Sequence, residues 1–120
     1  MRFMLKPIKL MAFLSFVIIQ AFSVQAQKVF KVDYPSQADL KVFIVSYESQ
    51  ADLLVYFVKY ASQTNRDGLF FPVKYASQAD FKLYFTDYES QADLKIFIVD
   101  YESKAGWRNK SKQYLLKFKK

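Results

Sequence analysis

Four aspartates, Asp39, Asp52, Asp80 and Asp93, close a recurring Ser-Gln-Ala-Asp element, and Glu48, Glu89 and Glu102 stand in the same turns. Acids and amides drawn from several turns could coordinate Ca²⁺ or bind sugar hydroxyls. Calcium asks for roughly six to eight oxygens, and one turn here offers one or two. Such a site therefore needs neighbouring turns to converge. Two of these acids could also cleave a glycosidic bond, one protonating the leaving group and the other acting as base or nucleophile. The simpler reading is local: Ser hydroxyls and Asp carboxylates accept nearby backbone N–H groups and hold a tight turn. Asn65 in the third unit and Gly106 in the sixth interrupt the series, which favours the simpler reading.

A second set is basic. Lys104, Arg108, Lys110, Lys112, Lys117, Lys119 and Lys120 surround Trp107, Tyr114, Leu115, Leu116 and Phe118, and no acid lies among them. Clustered bases attract anionic surfaces. In an exported protein the partners would be anionic lipid, lipopolysaccharide or acidic polysaccharide, and nucleic acid is not expected. The structural alternative is a last edge strand over 113–118, guarded by lysines against edge-to-edge pairing.

Other chemistry has little to stand on. The chain has no His and no Cys, so common zinc sites and disulfides are absent and no metal or cofactor is expected. A serine nucleophile would have only a lysine as base. Ser103 and Lys104 are adjacent, so their side chains diverge in a strand, and Lys104 in a polar turn stays charged. No phosphate-binding glycine loop is present. The residues point to a non-catalytic binding or structural module, with a small envelope glycan hydrolase as the rival.

The export expectation rests on the first 26 residues. Arg2, Lys6 and Lys9 precede an apolar run over 10–22, and Ser23-Val24-Gln25-Ala26 follows with small residues where a signal peptidase needs them. The run is too short for a membrane span, which takes about 20 residues. Cleavage after Ala26 leaves 27–120 as one domain in the periplasm or outside the cell, with no membrane span. The net charge of +7 is unevenly placed: residues 28–103 hold eight bases against eleven acids, and 104–120 hold seven bases. The body is mildly acidic and the tail basic.

The elements that carry these groups repeat. One tyrosine marks each unit: Tyr34, Tyr47, Tyr60, Tyr75, Tyr88 and Tyr101. The units are about 13 residues long, except where Asn65-Arg66-Asp67-Gly68 and Pro72 lengthen the third step. Two groups of three result. Runs such as 40–47 are rich in Val, Ile, Phe and Tyr, which predicts strand. The Ser-Gln-Ala-Asp element predicts a tight turn, with one turn of 3₁₀ helix compatible with it. Four residues before each marker stands an aromatic (Phe30, Phe43, Tyr56, Phe71, Tyr84, Phe97), and two before it a Val or Thr86. Side chains two apart share a strand face, so this aromatic–Val–Tyr face is expected to be the core. The first strand, with Gln27, Val29, Lys31 and Asp33 on its other face, is expected at an edge with that face in water. An eight-residue strand covers roughly 26 Å. A five-residue link spans at most about 17 Å, which predicts mainly antiparallel neighbours. The expected fold is an all-β, compact domain of six strand–turn units.

The repeat Tyr-x-Ser-Gln-Ala-Asp-Leu-Lys-Val-Phe, the altered middle unit and the closing Ala105-Gly106-Trp107-Arg108-Asn109 resemble a small, mostly bacterial family called septknot. The resemblance covers about residues 28–118. It implies a compact, mainly β chain deeply tied in a seven-crossing torus knot, which winds twice around a ring. It implies no activity and no catalytic residues.

Overall fold

The structure, a computed structural model, describes residues 27–63 and 66–117. The expected leader over 1–26 and the bases Lys119 and Lys120 lie outside the described residues.

Seven strands form: β1 Gln27–Lys31, β2 Leu40–Ile44, β3 Leu53–Phe57, β4 Leu69–Pro72, β5 Phe81–Phe85, β6 Leu94–Ile98 and the short β7 Gly106–Trp107. Each of β1 to β6 is one repeat unit. A three-residue 3₁₀ helix follows each, at Pro35–Gln37, Glu48–Gln50, Ala61–Gln63, Ala76–Gln78, Glu89–Gln91 and Glu102–Lys104. The turn expected of Ser-Gln-Ala-Asp is thus present. In the first unit Gln37 N–H donates to Tyr34 C=O at 3.0 Å and Ala38 N–H to Pro35 C=O at 3.2 Å, a pattern the second, fourth, fifth and sixth units share.

The strands close into a ring in the order β1, β5, β2, β6, β3, β4 and back to β1, and every pairing within the ring is parallel. Only β7 runs antiparallel, against β3. The expectation of mainly antiparallel neighbours is overturned. Its premise was wrong in length. The strands have four or five residues rather than eight, and the link from Ile44 to Leu53 has eight rather than five. Five residues cover about 16 Å and eight can span about 28 Å, so a parallel return fits. The premise also put consecutive strands side by side. In fact β1, β2 and β3 take alternate places, and β4, β5 and β6 fill the gaps.

The long third step explains how both circuits fit. β3 is followed by β4 in the adjacent place, whereas the other steps skip one. That single short step moves the second circuit into the empty places. Gly68 serves it, with φ at 98° and an added Cβ only 2.7 Å from the Leu54 carbonyl oxygen. Only glycine tolerates that conformation and that approach without strain.

Among the five-residue strands the register is uniform. The third residue of a strand faces the first of the next: Val29 faces Phe81, Leu83 faces Leu40, Val42 faces Leu94 and Ile96 faces Leu53. At the shorter β4, Tyr56 faces Leu69 and Phe70 faces Gln27. The repeated two-residue shift tilts the strands steeply and sets equivalent residues near one height around the ring.

In the five-residue strands the first and third residues point inward, and in β4 the second does. Leu40, Val42, Leu53, Val55, Phe81, Leu83, Leu94 and Ile96 are buried there with Val29 and Phe70. The aromatic–Val–Tyr face, expected to be the core, is the outer face. Its aromatics are half-buried and its Val residues mostly buried, while the six marker tyrosines stay 63–67% exposed. What covers that face is the connections. Val32 N–H donates to Leu83 C=O and Asp39 N–H to Lys82 C=O, so residues 33–38 cross the outside of β5. Val45 and Ala51 likewise flank β6 and share a cluster with Phe97. Both faces are apolar because each is a packing layer. The expected edge position of β1 is also corrected: it lies between β4 and β5, and a closed ring has no edge there.

Candidate binding surfaces

The C-terminal segment closes the end of the barrel from which the strands start. Trp107, Leu115 and Leu116 pack on the inner core. Residues Lys110–Leu116 form a 3₁₀ helix, so the edge strand considered for 113–118 does not form over the described part. Asn109 caps that helix, its side chain accepting the Ser111 N–H at 3.2 Å. The backbone N–H groups of Arg108 and Asn109 both donate to Asp52 C=O, at 2.8 and 2.9 Å.

Trp107, Leu115 and Leu116 turn inward, so the described bases face out at one end of the molecule. Three of them also bind the chain. Lys104 Nζ lies 3.4 Å from Glu48 Oε1, and Arg108 Nη1 donates to the Glu48 carbonyl at 3.4 Å. Lys112 Nζ donates to Asp93 C=O at 3.1 Å and lies 3.7 Å from Asp52 Oδ2. Lys110 and Lys117 are exposed, with no acid in ion-pair reach among the described residues. Beside Lys112, a shallow groove of about 490 Å³ is lined by Glu89, Ser90, Ala92 and Lys95.

The turn aspartates do something that the local reading missed. Asp39 Oδ2 accepts the Lys82 N–H at 2.8 Å, while Asp39 N–H donates to Lys82 C=O at 2.7 Å. Asp52 clamps Lys95 in the same way, Asp80 clamps Lys28 and Asp93 clamps Lys41. Each carboxylate therefore ties one circuit to the other. The interrupted sixth unit departs together with its partner. Gly106 stands where an aspartate would, and the strand residue it faces is Leu54 rather than lysine. Among the described residues no group of three or more acids is placed to hold a metal ion.

Sequence reasoning also missed Asp67. Its two carboxylate oxygens accept Gln27 Nε2 and Trp107 Nε1, each at 2.6 Å, and Gln27 Oε1 accepts the Gly68 N–H at 2.9 Å. The start of β1, the altered third step and the closing Trp107 meet there. The departure of 65–68 from the repeat was the available signal.

The fold and these surfaces define a class of protein: a closed parallel barrel of two interlaced circuits, each crossing outside the other's strands. That is the winding of a torus knot that goes twice around. The chain matches the family model described as the Septknot, or 7(1) septoil knot, domain over residues 26–108, and it belongs to that family. Among curated proteins no similar sequence is found. No helix among the described residues is long and apolar enough to cross a membrane.

Proposed function

We propose that the protein is an exported, non-catalytic binding module that contacts an anionic envelope component, lipid or polysaccharide, through its basic C-terminal segment. The observation that carries this reading is the division of that segment. Trp107, Leu115 and Leu116 are spent on the barrel end, and Lys110 and Lys117 project from the same helix and its cap without acid partners among the described residues. Lys119 and Lys120 extend the same run in sequence. Lys104, Arg108 and Lys112 contribute charge while also holding the fold. The clamped turn aspartates support the non-catalytic side, since each has an oxygen engaged by a backbone N–H.

The test is retention of purified protein on envelope fractions at low and high salt. Exposed charges are screened over about 10 Å at 0.1 M salt, so adsorption should fall as salt rises. Replacing Lys110, Lys117, Lys119 and Lys120 by Gln should abolish it with an unchanged circular dichroism spectrum. Salt-independent retention, or full retention by the neutralised variant, sinks the reading.

A further inference from the structure

The opposite end of the barrel is uncapped by any described segment. The last residue of each strand, the fifth in the five-residue strands and the fourth in β4, points inward there. In ring order these are Lys31, Phe85, Ile44, Ile98, Phe57 and Pro72. Ile44 is 46% exposed and Ile98 39%, while Phe57 and Phe85 pack on the inner core and stay half-exposed. A disc that is apolar except for Lys31 thus faces solvent. Two residues further along each unit comes a rim of exposed residues, in the same ring order: Asp33, Asp87, Ser46, Asp100, Lys59 and Lys74. The acids and the lysines occupy separate arcs. None of these charges forms an ion pair among the described residues.

We infer that this end is a self-complementary interface, and that a second copy of the chain docks on it head to head about a two-fold axis. Such an axis, perpendicular to the barrel, reverses the ring order of the facing copy. Passed between β2 and β6, it exchanges β2 with β6, β5 with β3 and β1 with β4. Ile44 then meets the other copy's Ile98, and Phe85 meets its Phe57. On the rim Asp87 meets Lys59, Asp33 meets Lys74, and the Ser46 hydroxyl meets the Asp100 carboxylate. Every charged rim residue finds an opposite charge or a hydroxyl. Each other two-fold placement that sets strand end against strand end brings at least one like-charged pair together. The charge order therefore selects one arrangement, which also sets Ile44 on Ile98, Phe85 on Phe57, and Lys31 against Pro72. Like charges set against each other at an interface cost several kcal/mol, enough to exclude the alternatives.

Light scattering and sedimentation of the purified protein across a concentration series test this. The expected result is a monomer–dimer equilibrium. Ile44→Lys should push it to monomer, since a charge enters the apolar centre while the exposed position leaves the fold intact. Asp87→Lys alone should weaken association at least about tenfold by facing Lys59, and Lys59→Asp alone should do the same by facing Asp87. The double variant Asp87→Lys with Lys59→Asp restores the pair in both copies and should recover the dimer. A protein that stays monomeric across the series overturns the proposal. So does a dimer that the single reversals leave unchanged, or one that the double swap fails to rescue.

Discussion

Each turn aspartate bonds a strand residue 43 or 52 positions away in sequence. Losing the carboxylate leaves a backbone N–H without its partner, and burial sets the cost. Asp52 is buried and also accepts the Asn109 side-chain amide at 3.2 Å. Asp93 is exposed. Asp52→Ala should therefore cost about 1–3 kcal/mol and Asp93→Ala about 0.5–1.5 kcal/mol, measured by urea denaturation. Equal losses would mean that the clamp bonds alone matter, without the Asn109 and Lys112 contacts. Glycine gives a second residue-scale contrast. At Gly68 an added Cβ meets the Leu54 carbonyl oxygen and, at 2.9 Å, the Gly106 nitrogen. At Gly106, φ is 149° but nothing lies within 4 Å of the added atom. Gly68→Ala should lose more than about 1 kcal/mol and exceed Gly106→Ala in the same assay.

Among the elements, the C-terminal 3₁₀ helix decides how the barrel's starting end is sealed. Leu116 is buried against the inner core, whereas Tyr114 on the same helix is 58% exposed. Leu116→Ala should lower stability by about 2 kcal/mol or more, the low end for a buried leucine. Tyr114→Ala should change it by less than about 0.5 kcal/mol. Thermal melts of the two variants separate a cap that packs from one that merely lies nearby. The same division matters for binding, because substitutions that unseat the helix would remove the basic surface along with the fold. Lys110, Lys117, Lys119 and Lys120, for which no contact that holds the helix is described, are therefore the informative ones to neutralise.

For the whole molecule, every ring pairing except β3 with β4 joins residues 43 or 52 positions apart, and the two circuits interlace. Non-local parallel pairing closes large loops before contacts repay the lost entropy, which slows folding. The second circuit must also be placed among the strands of the first. Refolding from denaturant should take seconds or longer, and unfolding should be slow enough that stability is partly kinetic. Stopped-flow refolding in a single millisecond phase would count against an interlaced path.

Much of this was legible in the residues. The six units, their strand–turn make-up, the 3₁₀ turns and the exceptional third step follow from local preferences that short segments carry themselves. The two faces of each strand also follow, since period two is a property of the extended backbone. Which face lies inside did not. Leu-Val and aromatic-Val rows are both apolar, and only closure of the ring makes one the interior and leaves the other to be covered by crossing segments. Strand direction was hidden for a related reason: it depends on which strand fills the gap left by its predecessor, and that strand comes from the other half of the chain. The aspartate clamps, the Asp67 junction and the charge order around the open rim are likewise contacts or sequences in space. By itself the sequence determined the unit and its repetition. The tertiary structure alone decided the order of the units around the ring, because that order is set by pairing between residues tens of positions apart.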